Sequence, residues 1–204
     1  MFALVNKSDN SITKMLSGSR GITIDGVQHP RSIYTLWTEA ERNALDIYTV
    51  EMDYSKLKDE EWYHNTNVTY AFDGSKVTGS YGDATAKAHA DVLFTQEDED
   101  NGLGTKDDIK VPGVKTILIK QVKAEAAQEL QKTDWYVVRK ADTDEAIPSA
   151  VATHRAAVRS KQASMETSIT NASDTAALET LYTYTKQEDG STTRPLGEIP
   201  VKEF

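Results

Sequence analysis

The residues with the most visible chemistry lie between Glu97 and Asp108, where Glu97-Asp98-Glu99-Asp100-Asn101-Gly102 is followed by Gly104 and Asp107-Asp108. Oxygen ligands around a central glycine are what a hard cation such as calcium takes. The spacing does not fit. With Gly102 in the glycine position of an EF-hand loop, the first ligand is Glu97 instead of an aspartate, and Gly104 falls where an apolar residue should pack. The stretch therefore reads as a solvated acidic loop. His29, His64, His89 and His154 lie far apart, without the paired spacing of a zinc site, and read as surface or packing residues. No G-x-S-x-G, H-E-x-x-H, P-loop or G-x-G-x-x-G sequence occurs, so nucleophile, metallohydrolase and nucleotide chemistries lack a starting motif. Carboxylate pairs could still meet in space, but among 32 acidic residues that is expected by coincidence. The expectation is a non-enzymatic protein with no catalytic residue, metal or cofactor.

Composition narrows the partners. The formal net charge is -9 with a pI near 5.0, which opposes phosphate backbones and anionic lipid surfaces, so neither nucleic acid nor membrane is expected. The charge is uneven: Lys110 to Ala163 holds ten Lys/Arg against six Asp/Glu, a local +4 that leaves -13 on the remainder. Such asymmetry orients a segment towards an acidic partner, or else places solvated lysines along helix faces. Cysteine is absent, which removes a disulfide framework and a thiolate nucleophile. Met1-Phe2-Ala3-Leu4-Val5 is too short for a secretory core, and no run approaches the ~18 apolar residues of a membrane helix. The expected location is a cytoplasm, or a particle assembled there, so the sequons at Asn67 and Asn171 carry no glycosylation meaning.

The elements that would carry any site point to an α+β chain of two small lobes. Residues 1–95 read as a mostly β N-terminal lobe. Phe2 to Val5 and Ile12 to Leu16 flank the turn Ser8-Asp9-Asn10, and Asp25-Gly26 marks a second tight turn. Thr38-Glu39-Ala40-Glu41 is a capping box that opens a short helix to about Leu45. Ile47 to Met52 is a strand, and Asn67 to Phe72 and Lys76 to Tyr81 form a hairpin about Asp73-Gly74. Ala84 to Leu93 is alanine-rich with helical spacing and is expected as a short helix. Residues 96–113 read as an acidic linker or long loop.

Residues 114–185 read as a helical C-terminal lobe. Leu118, Val122, Ala126 and Leu130 recur every four residues and predict a helix to Lys132. Trp135 to Val138 is aromatic and β-branched, hence expected as extended, with Trp135 closing the core between helices and Tyr136 facing outward. Pro148 opens a helix in which Val151, Val158 and Met165 stand seven apart, each behind a small residue (Ala150, Ala157, Ser164), a narrow seam for another element. Ser173-Asp174 caps a last helix, and 186–204 is expected as an extended tail. Tyr136 and the seam residues Val151, Val158 and Met165 are candidate partner contacts. Arg139, Arg155 and Arg159 either form salt bridges within the lobe or meet an acidic partner.

Two stretches carry a family likeness. Thr133-Asp134-Trp135-Tyr136-Val137-Val138-Arg139-Lys140, then Ala146-Ile147-Pro148 and a helix bearing His154-Arg155 and Arg159, resembles the C-terminal segments of bacteriophage tail and tail-fibre assembly proteins. Gly26-Val27-Gln28-His29-Pro30 with Leu36-Trp37-Thr38-Glu39-Ala40-Glu41-Arg42 is similar to an opening found in phage tail-region proteins. His154 stands where that pattern usually has tyrosine. The resemblance implies a tail accessory protein that binds a tail-fibre or baseplate protein and assists its folding, assembly or attachment, in the host cytoplasm and then in the virion tail. The alternative it implies is a permanent baseplate or fibre-adaptor subunit.

Overall fold

Alternation along the first strand explains the N-terminal architecture. A computed structural model describes all 204 residues, which divide by contacts into Met1–Thr85 and Ala86–Phe204. In β1 (Phe2–Asn6), Ala3 and Val5 enter one apolar cluster, with Tyr48, Phe72 and Val77. Phe2 and Leu4 pack on the other, built from Leu16, Ile22, Ile33, Tyr34 and Ile47. Period-two side chains thus give the sheet two covered faces.

β1 pairs antiparallel with β2 (Ser11–Leu16), with an irregularity between Leu4 and Val5. The short ladder of β3 (Ile22–Ile24) and β4 (Val27–His29) turns at Asp25 (φ 49°) and Gly26 (φ 80°), the two consecutive positive φ values of a tight hairpin. After α1 (Ile33–Leu36) comes α2 (Glu39–Asn43), opened by the expected capping box: Glu41 N donates to Thr38 Oγ1, and Thr38 N donates to Glu41 Oε2 at 2.7 Å. β5 (Ile47–Asp53) joins β1 antiparallel. Past β6 (Tyr63–His64), the hairpin of β7 (Thr69–Phe72) and β8 (Val77–Ser80) turns at Asp73, which accepts from Ser75 N and Lys76 N. The sheet order is β2-β1-β5-β8-β7, with β5 and β8 parallel, and β2 approaches β7 so that the five strands nearly close. Apart from α1 and β6, these strands, turns and the capped helix were expected; the parallel pairing joins segments that no local signal links.

The C-terminal unit is helical with short strands. β9 (Thr85–Ala86) carries the division, and β10 (Val92–Leu93) follows in place of the helix expected over Ala84 to Leu93. The reason is tertiary. The Lys87 carbonyl accepts from Thr175 Oγ1, the Ala88 carbonyl from Val114 N, and the His89 carbonyl from Lys115 N, so these acceptors serve other segments. Within the stretch expected as a linker or loop, 96–113, α3 (Gln96–Asp100) is opened by a Thr95/Asp98 capping box, and β11 (Ile109–Val111) pairs with β10.

α4 (Val114–Gln131) buries Val114, Leu118, Val122 and Ala126, the four-residue rhythm of its sequence. Its N-cap is Gly113, which has no side chain to offer, so Asp91 caps it from outside: Oδ1 accepts from Gly113 N at 2.7 Å and Oδ2 from Thr116 Oγ1 at 2.8 Å. A Cβ on Gly113 would overlap the backbone of Ala90, so only glycine permits that approach.

α5 (Asp134–Thr143) replaces the extended segment expected at Trp135–Val138. Strand preference reflects fit to a pleated surface, and no ladder receives this segment, so its amides pair within a helix. Asp134 in the first turn and Lys140 in the last suit the helix dipole, and Asp144 ends it at φ 56°. α6 (Ser149–Asn171) packs on α4, and α7 (Thr175–Tyr182), capped by Asp174, packs on α6. β12 (Thr185–Lys186) and β13 (Thr192–Thr193) form a ladder, and the expected tail then lies on the helices with Leu196 and Ile199 buried. Lys161 Nζ holds the Leu196 carbonyl at 2.7 Å. No helix is long and apolar enough to cross a membrane.

Candidate functional site

The expected contact residues separate into two groups where α4, α5 and α6 meet. Val151, Val158 and Met165 are 2%, 0% and 1% exposed, because α4 fills their seam from within the chain. Their spacing does mark a packing face, as expected, but its occupant is intramolecular. As folded they offer nothing to another protein.

Arg155 is buried too, and its position is fully explained by the end of α4. Its Nη1 donates to the Leu130 carbonyl at 2.7 Å and to Thr133 Oγ1 at 2.8 Å, and pairs with Asp134 Oδ1 at 2.9 Å. A cation at the carbonyl end of a helix complements both the unpaired acceptors and the dipole. From the residue just before it on α6, His154 Nε2 lies 2.9 Å from Glu129 Oε1. A carboxylate only accepts, which assigns the proton of that bond to Nε2. Glu129 also receives Lys132 Nζ at 2.8 Å and Lys202 N at 3.0 Å. Its carboxyl is held down to about 2, first by the Lys132 hydrogen bond and then, against the cost of burial, by Lys202 N and His154. The Phe204 ring, 5.2 Å from the His154 ring, covers this polar group. Buried, multiply bonded polar groups of this kind specify how helices dock.

α5 has the opposite character, since no residue in it is buried. Trp135, expected to close the core, is 52% exposed, while Tyr136, expected to face outward, is half-buried. Their rings lie against each other at 3.8 Å between centroids, and the Arg139 guanidinium sits 4.8 Å from the Trp135 ring and 5.4 Å from the Tyr136 ring. Arg139 Nη2 pairs with Glu145 Oε1 at 3.2 Å, whereas its Nε is buried without an acceptor. Val138 is 66% exposed and, three residues on from Trp135, shares its side of the helix beside Arg139; Val137 is exposed on the opposite side. Arg159 is exposed on α6 and makes no ion pair; it lines a groove of about 590 Å³ with Leu130, Gln162, Glu166 and Thr170.

Of the seven expected contacts, therefore, Arg139 and Arg159 keep surface to offer, Tyr136 offers part of its ring, and Val151, Arg155, Val158 and Met165 are interior. The aromatic, β-branched run at Trp135–Val138 predicts a strand, in which neighbours face opposite ways, and hence an interior Trp135. The helical alternative had one visible signal, Asp134 and Lys140 placed to suit the dipole of a single short helix. The Glu129–His154 contact had none beyond helical positions, since its two residues come from different helices. Scans of the chain against protein-family models, curated proteins and solved structures return no match.

Proposed function

We propose that this chain is a non-enzymatic phage tail accessory protein that binds a tail-fibre or baseplate protein through α5 and assists its folding, assembly or attachment. The observation that carries the reading is the exposure of Trp135 on a helix that buries none of its residues. A large aromatic held by Arg139 loses little side-chain freedom on binding, which is why tryptophan, tyrosine and arginine dominate interface energetics. The occupant is an apolar side chain of the tail protein. Val138, beside Trp135 on the helix, supplies further apolar contact, while Arg139 and Lys140 are already matched within the chain by Glu145 and Asp144. The resemblance of Thr133 to Arg159 to phage tail-fibre assembly proteins gives the partner its class. On this reading the complex forms in the host cytoplasm and the chain passes into the virion tail.

Co-expression with the cognate fibre and baseplate proteins, followed by affinity capture, tests the reading. Trp135→Ala combined with Val138→Asp is expected to lose capture at least about tenfold, the effect of one hot-spot residue. Undiminished capture by the folded double variant sinks it. Detection of the chain in purified virions separates permanent membership from action during assembly.

A further inference from the structure

The loop between β2 and β3, Ser17-Gly18-Ser19-Arg20-Gly21, is shaped by what it touches. Gly18 has φ 72°, and a Cβ there would stand 3.1 Å from the Phe2 ring and 3.5 Å from the Tyr34 ring. At Gly21 a Cβ would overlap the His29 carbonyl. Both positions require glycine. The loop is thereby pinned over the Phe2–Tyr34 ring pair, whose centroids are 4.9 Å apart. It leaves a cleft of about 630 Å³ whose polar lining comes from Lys14, Ser17, Ser19, Arg20 and Thr23. That volume falls among small-molecule sites, which span roughly 300–1,000 Å³.

Two cations without partners meet in this cleft, within a unit where acids outnumber bases. Residues 1–85 carry eight Lys/Arg and twelve Asp/Glu, so acids are in excess. Lys7, Lys56 and Lys76 take Asp46, Asp83 and Glu51 as partners, Lys58 lies over the Tyr63 ring, and Arg42 holds the Trp37 carbonyl while lying over the Phe2 ring. Lys14, Arg20 and Arg31 enter no ion pair, side-chain hydrogen bond or ring contact, and two of these three, Lys14 and Arg20, line the same cleft. Ser17 Oγ and Ser19 Oγ bond each other at 2.6 Å, which uses one hydroxyl proton and leaves the other to be donated.

We propose that this cleft binds a phosphate dianion, free or as a small monoester. Lys14 and Arg20 neutralise the charge, Arg20 offers a planar fork to two of its oxygens, and the Ser17/Ser19 pair and Thr23 donate to the remainder. The cleft exceeds the needs of the oxyanion alone, leaving room for the body of an ester. Longer polyanions are disfavoured, because the -9 chain offers only a local pair of free cations here and no extended basic track. The site lies apart in sequence from α5 and stands whether or not α5 binds a tail protein.

Titration of the full chain, followed through the amide resonances of residues 14–23, tests this with sn-glycerol 3-phosphate and inorganic phosphate, against glycerol and potassium chloride at matched ionic strength. Both phosphates are expected to saturate with shifts centred on Ser17 to Gly21, and the controls to do neither. Tighter binding of the ester identifies a monoester site, and equal binding identifies a site for free phosphate. Lys14→Gln with Arg20→Gln removes two charge-assisted donors and is expected to weaken both about tenfold or more. Both side chains are exposed, so the melting temperature should not move. Ser17→Ala with Ser19→Ala provides a second, charge-neutral loss of affinity. Absence of saturation, equal shifts with chloride, or full affinity in the Lys14/Arg20 variant overturns the assignment.

Discussion

Glu129 and His154, twenty-five positions apart on different helices, meet at 2.9 Å inside the C-terminal unit. The contact fixes the register of α4 against α6, and Lys202 N bonds the same Glu129 oxygen, so the C-terminal segment is fastened to the same point. Glu129→Gln should cost about 1.5–3 kcal/mol of stability, the usual range for hydrogen bonds to a charged group. Much of the Lys132 attraction is screened, since that side chain is 41% exposed. Denaturant melts at neutral pH measure the loss; a change below a few tenths of a kcal/mol would falsify the structural role.

The same carboxylate gives a pH dependence of definite sign. Its folded value of about 2 lies below the ordinary 4.5, so the unfolded chain takes up the proton first on acidification. Its stabilising contribution is therefore complete above about pH 4.5 and is lost as pH falls towards 2. Chemical melts of wild type and Glu129→Gln should converge through that window. Parallel curves from pH 6 to 2 contradict the expectation.

Arg155 and Arg159, one turn apart on α6, should behave differently. Arg155→Met leaves the Leu130 carbonyl and Asp134 without their shared donor and is expected to cost roughly 1–3 kcal/mol. Arg159→Ala should stay within about 0.5 kcal/mol, as for exposed positions without a partner. Equal losses in paired melts would show that the end of α4 does not depend on Arg155.

The seam separates residues that are adjacent in sequence. Met165→Ala should cost roughly 2–5 kcal/mol because its side chain is enclosed. Ala157→Arg points into solvent and should leave the fold intact, although its neighbour Val158 is buried. Thermal melts that show Ala157→Arg to be as damaging as Met165→Ala would place the seam on the other side of α6.

Trp135 can be read optically. Trp62 is buried and Trp37 half-buried, so iodide should quench mainly Trp135, and Trp135→Phe should remove most of the accessible emission. Its stability cost should be below about 1 kcal/mol, because a half-exposed side chain gives up little burial on truncation. A large loss of stability would instead return Trp135 to the interior.

Legibility followed the range of the interactions. Thr38 and Glu41 close a capping box within four residues, Asp25-Gly26 takes positive φ at low cost, and Leu118, Val122 and Ala126 share a helix face by period alone. The sequence by itself therefore determined an α+β chain with a β-rich first part, helices from Val114 onward, and a seam along α6. Tertiary structure decided what no neighbouring residue encodes. It set β8 parallel to β5, drew the Lys87–His89 carbonyls to Thr175 and the start of α4, capped that helix with Asp91, and filled the seam with α4. It also made Trp135–Val138 helical, since a strand-like sequence needs a ladder to join and this one has none; the tryptophan expected inside was left facing water.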